Sequence, residues 1–111
     1  MPETNQIVIN TGPILALIAA TENLSVLNLL YKKVYVTYEV AEEILKGGIS
    51  NFGVKEYKQA TFLDIQTKHL NISPILTNSL DIGEASVIQF ALDNKIQTVC
   101  IDESSGRRIA K

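Results

Sequence analysis

Apolar positions along the chain fall into two kinds of pattern. Ile7, Val8 and Ile9 form a run without alternation, as a strand does when both of its faces are buried in a parallel sheet, and the run stops at Asn10, Thr11, Gly12 and Pro13. Pro13 suits the first turn of a helix, which Ile14, Leu15, Leu17 and Ile18 carry to a break at Thr21, Glu22 and Asn23. Leu24 to Leu30 follows as a second short helix, and Val34, Tyr35 and Val36 predict a second strand. After Thr37, the stretch Tyr38 to Lys46 reads as a helix with Val40, Ala41, Ile44 and Leu45 on one face, closed by Gly47 and Gly48.

Between Ile49 and Asn78 the pattern weakens. Val54 to Ala60 is compatible with a helix, Phe62 to Ile65 with a strand, and Leu70 to Leu76 around Pro74 keeps no period. Asp81 then opens the best-marked helix: Asp81 and Glu84 have the spacing of a capping box, and Ile82, Ala85, Ile88, Ala91 and Leu92 recur at helical intervals. Gln97 to Ile101 predict another buried strand, ending at Asp102 and Glu103, and Ser104 to Lys111 can begin a last helix of barely two turns. Strands alternating with helices indicate an α/β fold with a parallel sheet. In such folds crossovers are right-handed and ligands collect beyond the carboxyl ends of the strands.

Composition narrows the class. At 111 residues and 46% hydrophobic, the chain is expected to form one globular domain over residues 1–111. A net charge of -2 supplies no general field for a polyanion, so any nucleic-acid contact has to be local. The single cysteine, Cys100, cannot form an internal disulfide and sits in an apolar run, as expected of a reducing compartment. The apolar run Ile14 to Ala20 is far short of the roughly 20 residues a spanning helix needs, and Met1 to Gln6 lacks a basic leader, so a cytoplasmic protein is expected.

Polar groups at the strand ends carry the candidate chemistry. Asn10 and Thr11 follow the first strand, Asp102 and Glu103 follow the last, and in a parallel sheet both pairs reach the same edge, where the helix opened by Asp81 presents its first turn. Glu84 lies only about 40° from the centre of that helix's apolar face and so points inward, either as the second half of the capping box or as a site carboxylate. Asp81 reads first as the cap. Glu42 and Glu43 each lie about 130° from the centre of their own helix's apolar face, so geometry does not choose between them. Asp102 could belong to a site or cap the helix that follows it. Gathered carboxylates repel by roughly 4 kcal/mol at 4 Å and an effective dielectric near 20, so a cluster would need a cation. Oxygen donors favour Mg²⁺ or Mn²⁺; His69 and Cys100 are far apart and lack zinc spacing.

Four blocks in order, IVINTGPILALI from Ile7, VYVTYEVAEEI from Val34, LDIGEASVIQFAL from Leu80 and VCIDESSGRRIAK from Val99, resemble the successive motifs of PIN domains, most closely the VapC-like bacterial and archaeal branch. The resemblance covers the chain except its middle. It implies a three-layer α/β/α sandwich around a central parallel sheet. It also implies a metal-dependent ribonuclease, often a toxin held by an antitoxin. Matched position by position, it assigns catalytic and metal-holding roles to Asn10, Glu43, Glu84 and Asp102 with Mg²⁺ or Mn²⁺, and places Thr11, Arg107 and Arg108 towards RNA.

Two departures from the family stand out. Asn10 occupies the place of an aspartate, which leaves an amide oxygen able to coordinate but removes one negative charge. The family also continues with a further strand and helix beyond the position of Lys111. The resemblance thus implies a domain lacking its last strand and helix, with an edge that a second copy, as in a homodimer, or an antitoxin segment would cover. Two functions follow from it: a PIN-type endoribonuclease, or a catalytically weak or inactive PIN-like module acting through partner or RNA binding. A receiver-like signalling domain shares the α/β pattern but would need an acidic pair after the first strand, which Asn10 and Thr11 do not supply.

Overall fold

The computed structural model describes residues 5–47 and 51–101. The elements run β1 (Gln6–Ile9), α1 (Thr11–Thr21), α2 (Ser25–Leu30), β2 (Lys33–Val36), α3 (Tyr38–Lys46), α4 (Val54–Gln59), β3 (Asp64–Ile65), α5 (Pro74–Ser79), α6 (Ile82–Asn94) and β4 (Val99–Cys100). Among the described residues the strands form one sheet in the order β3-β2-β1-β4, and each pairing is parallel. Ile7, Val8 and Ile9 are 4%, 0% and 1% exposed. Successive strand side chains point to opposite faces, so helices must cover both faces of the sheet at β1. This is the α/β architecture with a central parallel sheet that the alternating pattern predicts.

Helix boundaries follow local chemistry. Thr37 caps α3 by accepting a hydrogen bond from the Val40 N–H at 3.2 Å, and Gly47, at φ 70°, closes it in the left-handed conformation that favours glycine. The expected capping box of α6 is present in both halves: the Glu84 N–H donates to Asp81 Oδ1 at 2.9 Å, and the Asp81 N–H donates to Glu84 Oε1 at 3.4 Å. Apolar side chains from α1, α3 and α6, among them Ile14, Ile18, Val40, Ile44, Val87 and Phe90, pack with the strands into one core.

The structure differs from the sequence pattern mainly at the sheet margins. The stretch Phe62–Ile65 is strand only over Asp64–Ile65, and Gln97–Ile101 only over Val99–Cys100. The latter is not the fully buried strand expected: Val99 is 36% exposed, because β4 has β1 as its neighbour on one side and lies at the margin of the described sheet. Leu70–Leu76 resolves into the start of α5, which begins at Pro74. The final helix expected over Ser104 to Lys111 lies outside the described residues.

Tyr57 on α4 is 3% exposed, and its hydroxyl has no hydrogen-bond partner. Burial pushes its phenol from the ordinary 10.0 up to about 12. Between those values the unfolded chain gives up a proton that the folded chain keeps, so stability is expected to fall as pH rises through this window. Removing the unpaired hydroxyl in Tyr57→Phe should raise stability by about 1 kcal/mol and flatten that alkaline decline. Urea melts of both proteins from pH 8 to 12 would read the two effects together.

Candidate active site

The site begins where β1 ends. Asn10 is the N-cap residue of α1, yet its side chain makes no capping hydrogen bond, although an Asn cap ordinarily contributes about 1 kcal/mol. Asn10 is 5% exposed, and Oδ1 is buried without a partner. Its backbone N–H donates to the Cys100 carbonyl at 2.9 Å, which ties the carboxyl ends of β1 and β4 together. A buried carbonyl oxygen left without a donor is destabilising in the absence of a ligand.

Helix α3 brings the first carboxylate. The Thr11 hydroxyl donates to Glu43 Oε1 at 2.8 Å, so of the two adjacent glutamates it is Glu43 that is drawn to the end of β1. Thr11 is itself buried, and the structure gives its hydroxyl this contact.

Helix α6 closes the site with its first turn. A Cβ placed on the buried Gly83 would lie 2.9 Å from Glu43 Oε1, 3.4 Å from Asn10 Oδ1 and 3.7 Å from Asp81 Oδ1. Three side-chain oxygens from three separate parts of the chain therefore surround the space left by one missing methyl group. Glu84, in the same turn, is 8% exposed and accepts the capping bond from the Asp81 N–H, so the inward and the capping readings of this residue both hold. A buried hydroxyl relay locks α3 to α6: Thr37 Oγ1 and Ser86 Oγ lie 2.7 Å apart, and Ser86 donates to the Gly83 carbonyl at 2.7 Å. Both side chains are 0% exposed, which makes the relay part of the core rather than of the surface.

A groove of about 750 Å³ adjoins the cradle and shares Glu43, Asp81 and Gly83 with it. Its wall also contains Glu39, which the sequence pattern does not single out. Glu39 is buried; its Oε2 accepts from the Leu70 N–H at 3.0 Å and lies 3.4 Å from His69 Nδ1, while Oε1 has no partner. Its place four residues before Glu43, on the same stripe of α3, was the available signal. Gly83 offered another, a glycine in the first turn of a strongly marked helix.

The structure thus brings Asn10, Thr11, Glu43, Gly83 and Asp81 together, with Glu84 in the same first turn of α6 as Gly83. Asp102, Arg107 and Arg108 lie outside the described residues. Among the described residues, no three His, Cys, Asp or Glu side chains group as a ready metal-ligand set. The donors present are nonetheless all oxygen, and the orphaned Asn10 Oδ1 beside the Glu43 carboxylate suits a hard divalent cation that keeps part of its water shell. Cys100 is a poor nucleophile, since burial pushes its thiol up.

A protein-family model described as a PIN domain matches residues 6–111. The chain belongs to the PIN domain family. No curated protein and no solved structure gives a match. The PIN domain is generally a nuclease fold that works on nucleic acid and uses divalent metal ions. The parallel sheet and the oxygen cradle at its carboxyl edge are consistent with that membership. No described helix of this PIN domain is long and apolar enough to cross a membrane.

Proposed function

We propose that this PIN domain is an endoribonuclease dependent on Mg²⁺ or Mn²⁺ that hydrolyses RNA phosphodiesters. The observation that carries the reading is the convergence of Asn10 Oδ1 and Glu43 Oε1 on the space at Gly83. Asn10, Glu43, Glu84 and Asp102 would hold the ion. The backbone bond from Asn10 to Cys100 supports including the acid that follows the last strand. A divalent ion held there supplies Lewis-acid stabilisation of phosphoryl charge and activates water.

The chain's own residues prepare that chemistry. Thr11 fixes the direction of the Glu43 carboxylate through its 2.8 Å bond. The Thr37–Ser86 relay holds the two acid-bearing helices at a set distance, so the donors need little rearrangement when substrate arrives. Arg107 and Arg108 are proposed to meet the RNA backbone. The cellular setting proposed is that of a cytoplasmic toxin with an antitoxin partner, acting as a homodimer. Leu29 and Leu30, 84% and 63% exposed on α2, support a partner surface.

A second reading has its own observation. Asn10 brings an amide where a carboxylate would add charge, which favours a weak or inactive module that binds RNA or a partner. A cleavage assay separates the two. The nuclease reading expects RNA hydrolysis with Mg²⁺ or Mn²⁺, its loss in EDTA, and a fall of about a hundredfold or more in Glu43→Gln and in Asp102→Asn. Stable RNA binding or complex formation without cleavage under either metal would leave the binding module standing instead.

A further inference from the structure

The groove beside the cradle has features that hydrolysis leaves unused. Its volume of about 750 Å³ lies within the range of clefts that hold small ligands. Glu39, Glu42, Glu43 and Asp81 line it against the single lysine Lys46 among its lining residues, so a phosphate group is repelled from most of its wall. Leu70, Ile72 and Ile82 supply apolar lining, and the Tyr38 and His69 rings meet edge to face with centroids 4.3 Å apart. A flat, neutral group with hydrogen-bond donors suits such a wall better than an anion does. Glu39 adds the specific element, a carboxylate with side chain only 5% exposed and one oxygen lacking any donor.

We propose that the groove takes one unpaired base of the RNA substrate, packed against Tyr38, with an exocyclic amino group of that base donating to Glu39. The identity of the ligand rests on the ribonuclease reading; the base preference rests on the groove. Unstacked bases are held in this manner elsewhere, by aromatic faces and by hydrogen bonds to their edges. Adenine, cytosine and guanine carry an exocyclic amine. Uracil carries none: its one edge donor, N3–H, is flanked by two carbonyl oxygens that a carboxylate, which can only accept, repels. Glu39 Oε1 is closed to solvent, so the proposal requires the groove wall around Glu39, which includes the 77% exposed side chain of His69, to shift as the base enters.

Anisotropy titrations with labelled A₆, C₆ and U₆ RNA in EDTA test this without cleavage. The wild-type chain should bind A₆ and C₆ about tenfold more tightly than U₆, as one well-made base contact implies. A C₆ analogue dimethylated at the exocyclic nitrogen should bind no better than U₆, a comparison that needs no variant protein. In Glu39→Gln, whose amide can donate to a uracil carbonyl, the gap between C₆ and U₆ should close. Equal binding of the three hexamers, undiminished binding of the dimethylated analogue, or absence of binding would overturn the proposal. Cleavage with Mn²⁺, measured separately, distinguishes the two failures: a nuclease without base preference loses the groove assignment alone, and preference without cleavage loses the nuclease alone.

Discussion

Gly83→Ala is expected to lower RNA cleavage by about a hundredfold while leaving the melting temperature unchanged or higher, because misplacement of a reacting group by an ångström has that order of effect. The glycine is not needed for backbone geometry. Gly47 and Gly53 occupy the left-handed region, whereas Gly83 sits in the first turn of α6 without a positive φ. Alanine there should favour the helix by up to about 1 kcal/mol. The added methyl would instead meet Glu43 Oε1 at 2.9 Å and crowd Asn10 Oδ1 at 3.4 Å. The tip of a glutamate can swing away at little cost to the fold, but it then leaves Thr11 and the shared space. Mn²⁺ affinity should drop with activity, by about 10- to 100-fold. Wild-type cleavage by a well-folded Gly83→Ala protein would mean that the reaction occurs somewhere else.

Asn10→Asp should move stability and activity in opposite directions as well, with the signs exchanged. A carboxylate at this position would be buried beside Glu43, and without a cation the two charges should destabilise the folded chain by roughly 2 kcal/mol. With Mg²⁺ or Mn²⁺ the added charge becomes a ligand, so metal affinity should rise and cleavage increase about tenfold. Thermal melts with and without metal report this independently of turnover: the variant should melt below the wild-type chain in EDTA and gain more from added metal. An equal metal response in both proteins would remove Asn10 from the ligand set.

The parts of the fold that were legible in sequence are those whose signal is local. The run Ile7–Ile9 is apolar because both faces of β1 are covered, and Asp81 with Glu84 mark the start of α6 through bonds spanning three residues. Helix α5 was illegible because none of its residues is buried, so no periodic apolar stripe exists to be read. The choice between Glu42 and Glu43 could not come from a helical wheel that treats them alike. It depends on Thr11, thirty-two positions away in the chain. Glu39 is hidden in the sequence for a similar reason: its burial depends on Leu70, thirty-one positions away, and on a groove that no local pattern encodes. The half-exposed state of β4 likewise depends on its place in the sheet, which its apolar composition does not report.

The hydroxyl pair Thr37 and Ser86 joins stretches forty-nine positions apart by a bond between two very short side chains. Such short arms tolerate little sliding of one helix along the other, so the spacing of the acidic pocket is set inside the protein and not by the connection between its walls. Chain added to or deleted from the exposed stretch around Thr67 and Lys68 should therefore reshape the edge of the groove while leaving the spacing of the oxygen cradle as it was. Under the nuclease reading, target choice and chemistry then diverge separately within one scaffold.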